Sequence, residues 1–200
     1  MILARAVLAD QPGATIIADV KASRVFQDEI NRLGGKPLLW KTGHSHIKEK
    51  LMEMDAPLAG EMSAHIFFKH CYYGYDDALY SAVRMLSVLA NGEESLADIR
   101  DSLPPYFNTP ELRLDCTEER KFDIIEEVRD RLTGNPEISV NNIDGVRVET
   151  SEGWWLLRAS NTQAALVARC ESATPVGLTR LKAELAHQLM ESGIVLPTIE

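Results

Sequence analysis

Apolar residues at positions 2, 3, 7 and 8 open the chain with the spacing of one helical face, and no capping residue precedes them. An uncapped start of this kind predicts further chain upstream. After the turn Gln11-Pro12-Gly13, a β-branched run at 15–20 reads as a strand. A helix follows at 24–33 and stops at Gly34-Gly35. A second strand is predicted at 37–40. Lys41-Thr42-Gly43-His44-Ser45 then opens another helix, with Ser45 able to cap it and Ile47, Leu51 and Met54 on its buried face. Two short apolar runs, 57–59 and 66–68, flank Gly60-Glu61-Met62-Ser63-Ala64-His65 and read as strand, tight loop, strand, with Gly60 at the bend. An aromatic-rich turn at 71–77 leads into a helix at 78–91, whose apolar face is Leu79, Val83, Leu86 and Ala90. Ser95 and Asp98 form a capping pair for a short helix reaching Ser102.

Alternation of strand and helix predicts an α/β layer with a mostly parallel or mixed sheet over residues 1–105. Pro104-Pro105 stops helical structure and 106–110 carries no periodicity, so the domain boundary falls there. Residues 106–200 have a different rhythm. A strand is predicted at 111–115, then a helix beginning at Thr117 with Glu118 and Glu119 in its first turn. Phe122, Ile124, Ile125, Val128 and Leu132 give that helix its apolar side, and Gly134 closes it. Strands follow at 145–150, 154–159 and 164–172, the first two joined by the hairpin turn Ser151-Glu152-Gly153. A last helix starts at Thr174-Pro175, with Leu178, Leu181, Leu185 and Leu189 as its stripe. Two helices against an antiparallel sheet make an α+β domain.

Composition narrows the function classes. The net charge of −9 argues against a general nucleic-acid surface, so any phosphate must be held by a local cluster of donors. Cys71, Cys116 and Cys170 are odd in number and far apart, which fits reduced thiols in a cytoplasmic protein better than disulfides or a zinc site. No apolar run reaches membrane-spanning length. The chemistry concentrates in a few loops. Lys21 and His44 each follow a predicted strand, where open α/β sheets bind ligands, although each is also an ordinary loop residue. Glu61 can accept two neighbouring hydroxyl protons and Ser63 can donate or accept beside it; a polar hairpin tip is the plainer alternative. Asp76-Asp77 at a helix start suit either the helix dipole or a metal, and the dipole is the better reason. Arg158-Ala159-Ser160-Asn161-Thr162 combines a planar fork for phosphate oxygens with side-chain donors in a tight turn, or is a polar turn after an exposed arginine.

Gly60-Glu61-Met62-Ser63-Ala64-His65 resembles the Gly-Glu-Met-Ser-Gly-His sugar-binding loop of the phosphohexomutases, at five of six positions. Arg158-Ala159-Ser160-Asn161-Thr162 is similar to the phosphate-binding loop of their phosphomannomutase/phosphoglucomutase branch; the glucosamine mutases look like Arg-Pro-Ser-Gly-Thr there. Lys21 and the Thr42-Gly43-His44 motif stand at the family's offsets, and the loops recur in family order. The chain thus resembles the third and fourth of the family's four domains: an α/β sugar-binding domain and an α+β phosphate-binding domain like the TATA-binding protein.

The resemblance implies an isomerase of carbohydrate metabolism, interconverting hexose 1- and 6-phosphate through a phosphoserine and a bisphosphorylated sugar. It implies Mg2+ and a hexose 1,6-bisphosphate activator in the full-length enzyme, and mannose or glucose phosphates as partners. Glu61 and Ser63 would hold ring hydroxyls, while Arg158, Ser160, Asn161 and Thr162 clamp the phosphate not being transferred. Lys21, His44 and His65 would support catalysis, either histidine moving a proton. The sugar loop and the phosphate loop are expected to share one cleft. The family's phosphoserine loop and its magnesium loop of spaced aspartates are not in this sequence. Phosphoryl transfer needs both, so the chain alone is expected to be inactive and to belong with N-terminal domains. A stand-alone sugar-phosphate-binding module, or a partner of a separate N-terminal half, is the alternative. Three positions depart from the family: Ala64 and Ala78 replace glycines, and Ala164 replaces a proline. If position 64 needs positive φ, alanine there is strained by on the order of 1 kcal/mol.

Overall fold

Chain tracing is by a computed structural model that describes residues 1–195. It forms two compact units, Met1–Pro104 and Pro105–Glu200. In the first, α1 (Ile2–Asp10) buries Leu3, Ala4, Val7 and Leu8. Strand β1 (Thr15–Asp19) is apolar on both faces, as a central strand covered from two sides must be. Ser23 caps α2 (Arg24–Arg32) by accepting from Val25 N, and β2 (Lys36–Trp40) returns parallel to β1. Helix α3 (His44–Glu53) leads to β3 (Leu58–Gly60), also parallel to β1. The hairpin β3–β4 (Ile66–Phe68) and the short β5 (Tyr75–Asp76) complete a mixed sheet of order β2-β1-β3-β4-β5. Side chains alternate across it. Ile16 and Ala18 join Phe26, Ile30 and α1 on one face; Ile17, Phe67 and Ala59 meet Ile47 and Leu51 of α3 on the other. The result is three layers, helix on sheet on helix.

Helices α4 (Ala78–Asn91) and α5 (Leu96–Asp101) follow, the latter with the expected Ser95/Asp98 capping box. On α4 the expected apolar face is the wrong one. Leu79 is 82% and Val83 62% exposed, and Leu86 and Ala90 are exposed too. The helix is held by Tyr80, stacked on Tyr72 at 3.9 Å and edge-on to Phe68, and by Arg84, whose guanidinium lies 4.7 Å above the Phe68 ring. Aromatic and cation–π partners outweigh an aliphatic stripe that has none. Met54 is likewise exposed: it is the C-cap of α3, Asp55 turns the chain at φ 52, and Ala56 takes the buried place. Ser45 caps nothing, because the helix starts two residues earlier than that role requires. Its N-cap is Gly43, at a φ of 127 that a side chain would disfavour.

The second unit begins with β6 (Phe107–Asn108), a short strand within the stretch read as aperiodic, and β7 (Leu112–Asp115), whose residues alternate buried and exposed. Helix α6 (Arg120–Leu132) starts three residues later than predicted, so Glu118 and Glu119 lie in the turn before it. Its inward stripe is Lys121, Ile124, Ile125, Val128 and Leu132. Phe122 falls about 100° off that stripe and is exposed, and Lys121 holds the inward position instead. Strands β8 (Ser139–Asn141), β9 (Val146–Thr150), β10 (Gly153–Ala159) and β11 (Ala165–Ser172) form an antiparallel sheet of order β6-β11-β10-β9-β8, with β7 also pairing β11. Thr174 caps α7 (Pro175–Glu191) by accepting from Gly177 N, with Pro175 at its first position. Helices α6 and α7 enclose one core with Trp155, Leu157, Leu166 and Ala168. Among the described residues no helix is long and apolar enough to cross a membrane.

Candidate functional site

Three parallel strands, β1, β2 and β3, end at the same edge of the first sheet, and the loop after each carries a polar group. In an open α/β sheet this carboxyl edge is where ligands find exposed loops on a rigid base. Lys21 lies just past β1, His44 opens the helix after β2, and Glu61 opens the loop after β3. Two carboxylates tie these loops together. Glu61 Oε1 accepts the Gly43 N–H at 2.7 Å, joining the β3 loop to the start of α3. Asp19, the last residue of β1, is fully buried; its Oδ2 accepts the Met62 N–H at 3.4 Å and lies 3.7 Å from Lys21 Nζ. Asp19 Oδ1 and Glu61 Oε2 are both buried without a hydrogen-bond partner. Burial pushes the Asp19 carboxyl up to about 6, against the pull of Lys21 and the Met62 amide and with Glu61 adding to the rise.

The loop itself is a tight turn. Ala64 N–H donates to Glu61 O, and Glu61 N–H to His65 O at 2.9 Å. Ala64 sits at φ 69, so the condition for strain at this position is met: the backbone is left-handed. Ser63 is exposed at the tip. His65 pairs through Nδ1 with Asp76 Oδ2 at 2.6 Å, while Asp76 Oδ1 accepts the Ile66 N–H. Its ring lies 6.1 Å from that of His44. A carboxylate on Nδ1 fixes the imidazole's orientation and, in the neutral tautomer with the proton on Nδ1, leaves Nε2 as the acceptor. Asp77, by contrast, is a cap: it accepts from Tyr80 N and from Tyr72 Oη, and these bonds hold its carboxyl below the usual range.

In the second unit Arg158 is the last residue but one of β10, with its side chain 5% exposed. Its Nε donates to Asp144 Oδ2 at 2.9 Å, and its Nη2 is buried without a partner. Ser160 is buried and its Oγ accepts from Thr162 N and Gln163 N, so this hydroxyl shapes the turn from within. Asn161 and Thr162 are exposed on it. Lys121 of α6 supports the turn from beneath: Nζ donates to Ser160 O at 2.8 Å and to Gln163 O at 3.2 Å, with Glu118 beside it.

The structure therefore brings Lys21, His44, Glu61, Ser63 and His65 to one edge of the first sheet, and Arg158, Ser160, Asn161 and Thr162 to one turn of the second. Sequence reasoning missed Asp19, Lys121 and Asp144, and read Asp76 as a complement to the helix dipole rather than as the partner of His65. Each holds a candidate residue rather than being one. The signals were a charge closing an apolar strand at Asp19 and a lysine in register with an apolar stripe at Lys121. No three His, Cys, Asp or Glu side chains among the described residues gather into one cluster.

A three-layer unit with its polar loops at the carboxyl edge, followed by an antiparallel sheet bearing an arginine turn, defines a two-domain class, α/β followed by α+β. Residues 1–107 match the family described as phosphoglucomutase/phosphomannomutase, alpha/beta/alpha domain III, and residues 111–188 match its C-terminal domain. The chain belongs to the phosphoglucomutase/phosphomannomutase family. It is 43% identical over 198 residues to the phosphomannomutase/phosphoglucomutase of Pseudomonas aeruginosa, covering 98% of this chain and 42% of that protein. The phosphoglucomutase of Neisseria gonorrhoeae is 38% identical over 91% of this chain and 40% of its own length. A crystal structure of a family protein from Burkholderia thailandensis superposes with a TM-score of 0.87 at 39% identity, covering all of this chain and 41% of that one. An Aspergillus fumigatus N-acetylphosphoglucosamine mutase in complex with glucose 1,6-bisphosphate shares the fold, with a TM-score of 0.63 at 16% identity, covering 96% of this chain and 41% of that one. The chain spans about two fifths of the length of the curated relatives it matches.

Proposed function

We propose that this chain is the sugar-phosphate-recognition half of a phosphomannomutase/phosphoglucomutase. The α/β unit binds the hexose through Glu61 and Ser63, and the α+β unit grips the phosphate through Arg158, Ser160, Asn161 and Thr162. Lys21 and His44 line the reacting side. Between the two histidines, His65 moves the proton, because Asp76 orients it and stabilises the imidazolium as it forms. The observation that carries the reading is Arg158: a buried guanidinium whose Nη2 has no acceptor, at the mouth of a turn already braced by Lys121. Such a group is costly to leave unsatisfied and suits a phosphate oxygen. Nucleophile and magnesium belong to the remainder of the mutase, where a hexose 1,6-bisphosphate would prime the serine, so this chain binds but does not turn over. Three free cysteines suit a reducing cytoplasm.

Calorimetry of the chain with mannose 1-phosphate or glucose 1-phosphate tests this directly. Binding should weaken by roughly 1.5–3 kcal/mol in Arg158→Ala. Equal affinity for variant and parent would remove the arginine's role. Phosphorus NMR with magnesium and a hexose bisphosphate should show no conversion, and turnover by the chain alone would contradict the assignment of nucleophile and metal elsewhere.

A further inference from the structure

We propose that Asp144 is the positioning residue of the phosphate loop: it holds Arg158 by Nε so that the terminal nitrogen Nη2 is left for the phosphate. The proposal rests on the reading of Arg158 given above and adds the group that aims it. The contact is between Asp144 Oδ2 and Arg158 Nε, 2.9 Å apart, with the aspartate side chain 15% exposed. A carboxylate could bind a guanidinium across both of its terminal nitrogens. Here it takes the Nε edge, and Nη2 stays buried with no acceptor at all. That is a fork half engaged and half open.

The turn carrying Asp144 is built to hold it there. Asn141 Oδ1 accepts the Ile143 N–H at 3.0 Å and starts the turn. Gly145 then adopts φ 80 and lies against Leu157 O and the Arg158 backbone, where any Cβ would collide. Pairing of Val146 with Leu157 continues the register into the sheet. The aspartate is thus locked beside the arginine by backbone geometry, before any ligand arrives. Its charge also matters: a cation buried this deeply needs a resident counter-ion when no phosphate is bound.

Two properties of Asp144 are separable by substitution. Asp144→Asn keeps the acceptor and removes the charge, whereas Asp144→Ala and Asp144→Ser remove the reach to Nε. Mannose 1-phosphate is the ligand for calorimetry, and the Arg158 Nε–H resonance, assigned by loss in Arg158→Lys, is the structural readout. Asp144→Ala, or Asp144→Ser if the alanine variant does not fold, should lose the hydrogen-bonded Nε–H signal and bind about tenfold or more weakly. Asp144→Asn should keep the signal and bind within about threefold of the parent or tighter, since the phosphate then meets a less neutralised cation. Parent-like affinity in both short variants, with the parent binding, overturns the role of Asp144 and leaves that of Arg158 standing. Weakening in Asp144→Asn equal to that in Asp144→Ala also overturns it, because charge and not aim would then be the cause. No binding by the parent removes the phosphate-loop reading and this proposal together.

Discussion

Ala64 and Asp19 show how single residues at and beneath the 60–65 loop carry strain in two different forms. Ala64 holds a left-handed backbone that glycine adopts freely, so Ala64→Gly relieves the clash of its Cβ at the cost of a more flexible unfolded chain. The clash is the larger effect, and a net gain of about 0.5–1 kcal/mol is expected. Urea unfolding should show a higher midpoint with unchanged slope. Asp19 carries electrostatic strain: its carboxyl is raised from 3.8 to about 6 by burial. Between those two values the folded chain binds the extra proton, so the contribution of Asp19 to stability is greatest below about pH 4 and is lost as pH rises through 6. The full span is on the order of 3 kcal/mol. Carboxyl carbon NMR should find a titration near pH 6 that Asp19→Asn abolishes, and the Met62 amide should shift with it. A midpoint near 4 would show that the carboxylate is solvated after all.

At the scale of elements, periodicity located the helices but did not say which of their stripes had a partner. The series Leu79, Val83, Leu86 is a good helical stripe, and it is exposed because Tyr80 and Arg84 on the adjacent stripe meet Phe68 and Tyr72. Each of Leu79→Lys, Val83→Lys and Leu86→Lys is therefore expected to change the stability of this chain by no more than about 0.5 kcal/mol. Arg84→Ala, losing its place over Phe68 and its hydrogen bond to His70 O at 3.1 Å, should cost more than any of them. Thermal melts of the four variants rank the two stripes, and a large loss from the lysine variants would contradict the packing. Local chemistry was more legible. Ser95/Asp98, Thr174-Pro175 and the hairpin at 151–153 formed as their residue types require, since a cap or tight turn is decided within four residues.

For the whole molecule, the two cores share no residue: one set lies on both faces of the first sheet, the other between the second sheet and helices α6 and α7. A cavity in one should leave the other intact. Leu185→Ala is expected to cost the second unit about 2–5 kcal/mol, and Ile47→Ala the first by a similar amount. Trp154 and Trp155 report on one unit and Trp40 on the other, so single-tryptophan variants followed in urea will resolve the two transitions. A shift of both transitions by either substitution would show a single cooperative body.

The sequence by itself determined the α/β and α+β alternation, the place of the break near Pro104-Pro105, and the loops that carry Glu61, His65 and Arg158. Those follow from hydrophobic period and turn chemistry, which act over a few residues. Only the tertiary structure decided what holds these groups: Asp19 under Met62, Asp76 on His65, Lys121 under Ser160 and Asp144 beside Arg158. Such partners lie 11 to 43 residues apart along the chain. They meet because strands of fixed register and helices of fixed face carry them together, and burial then sets how strongly each charge is felt.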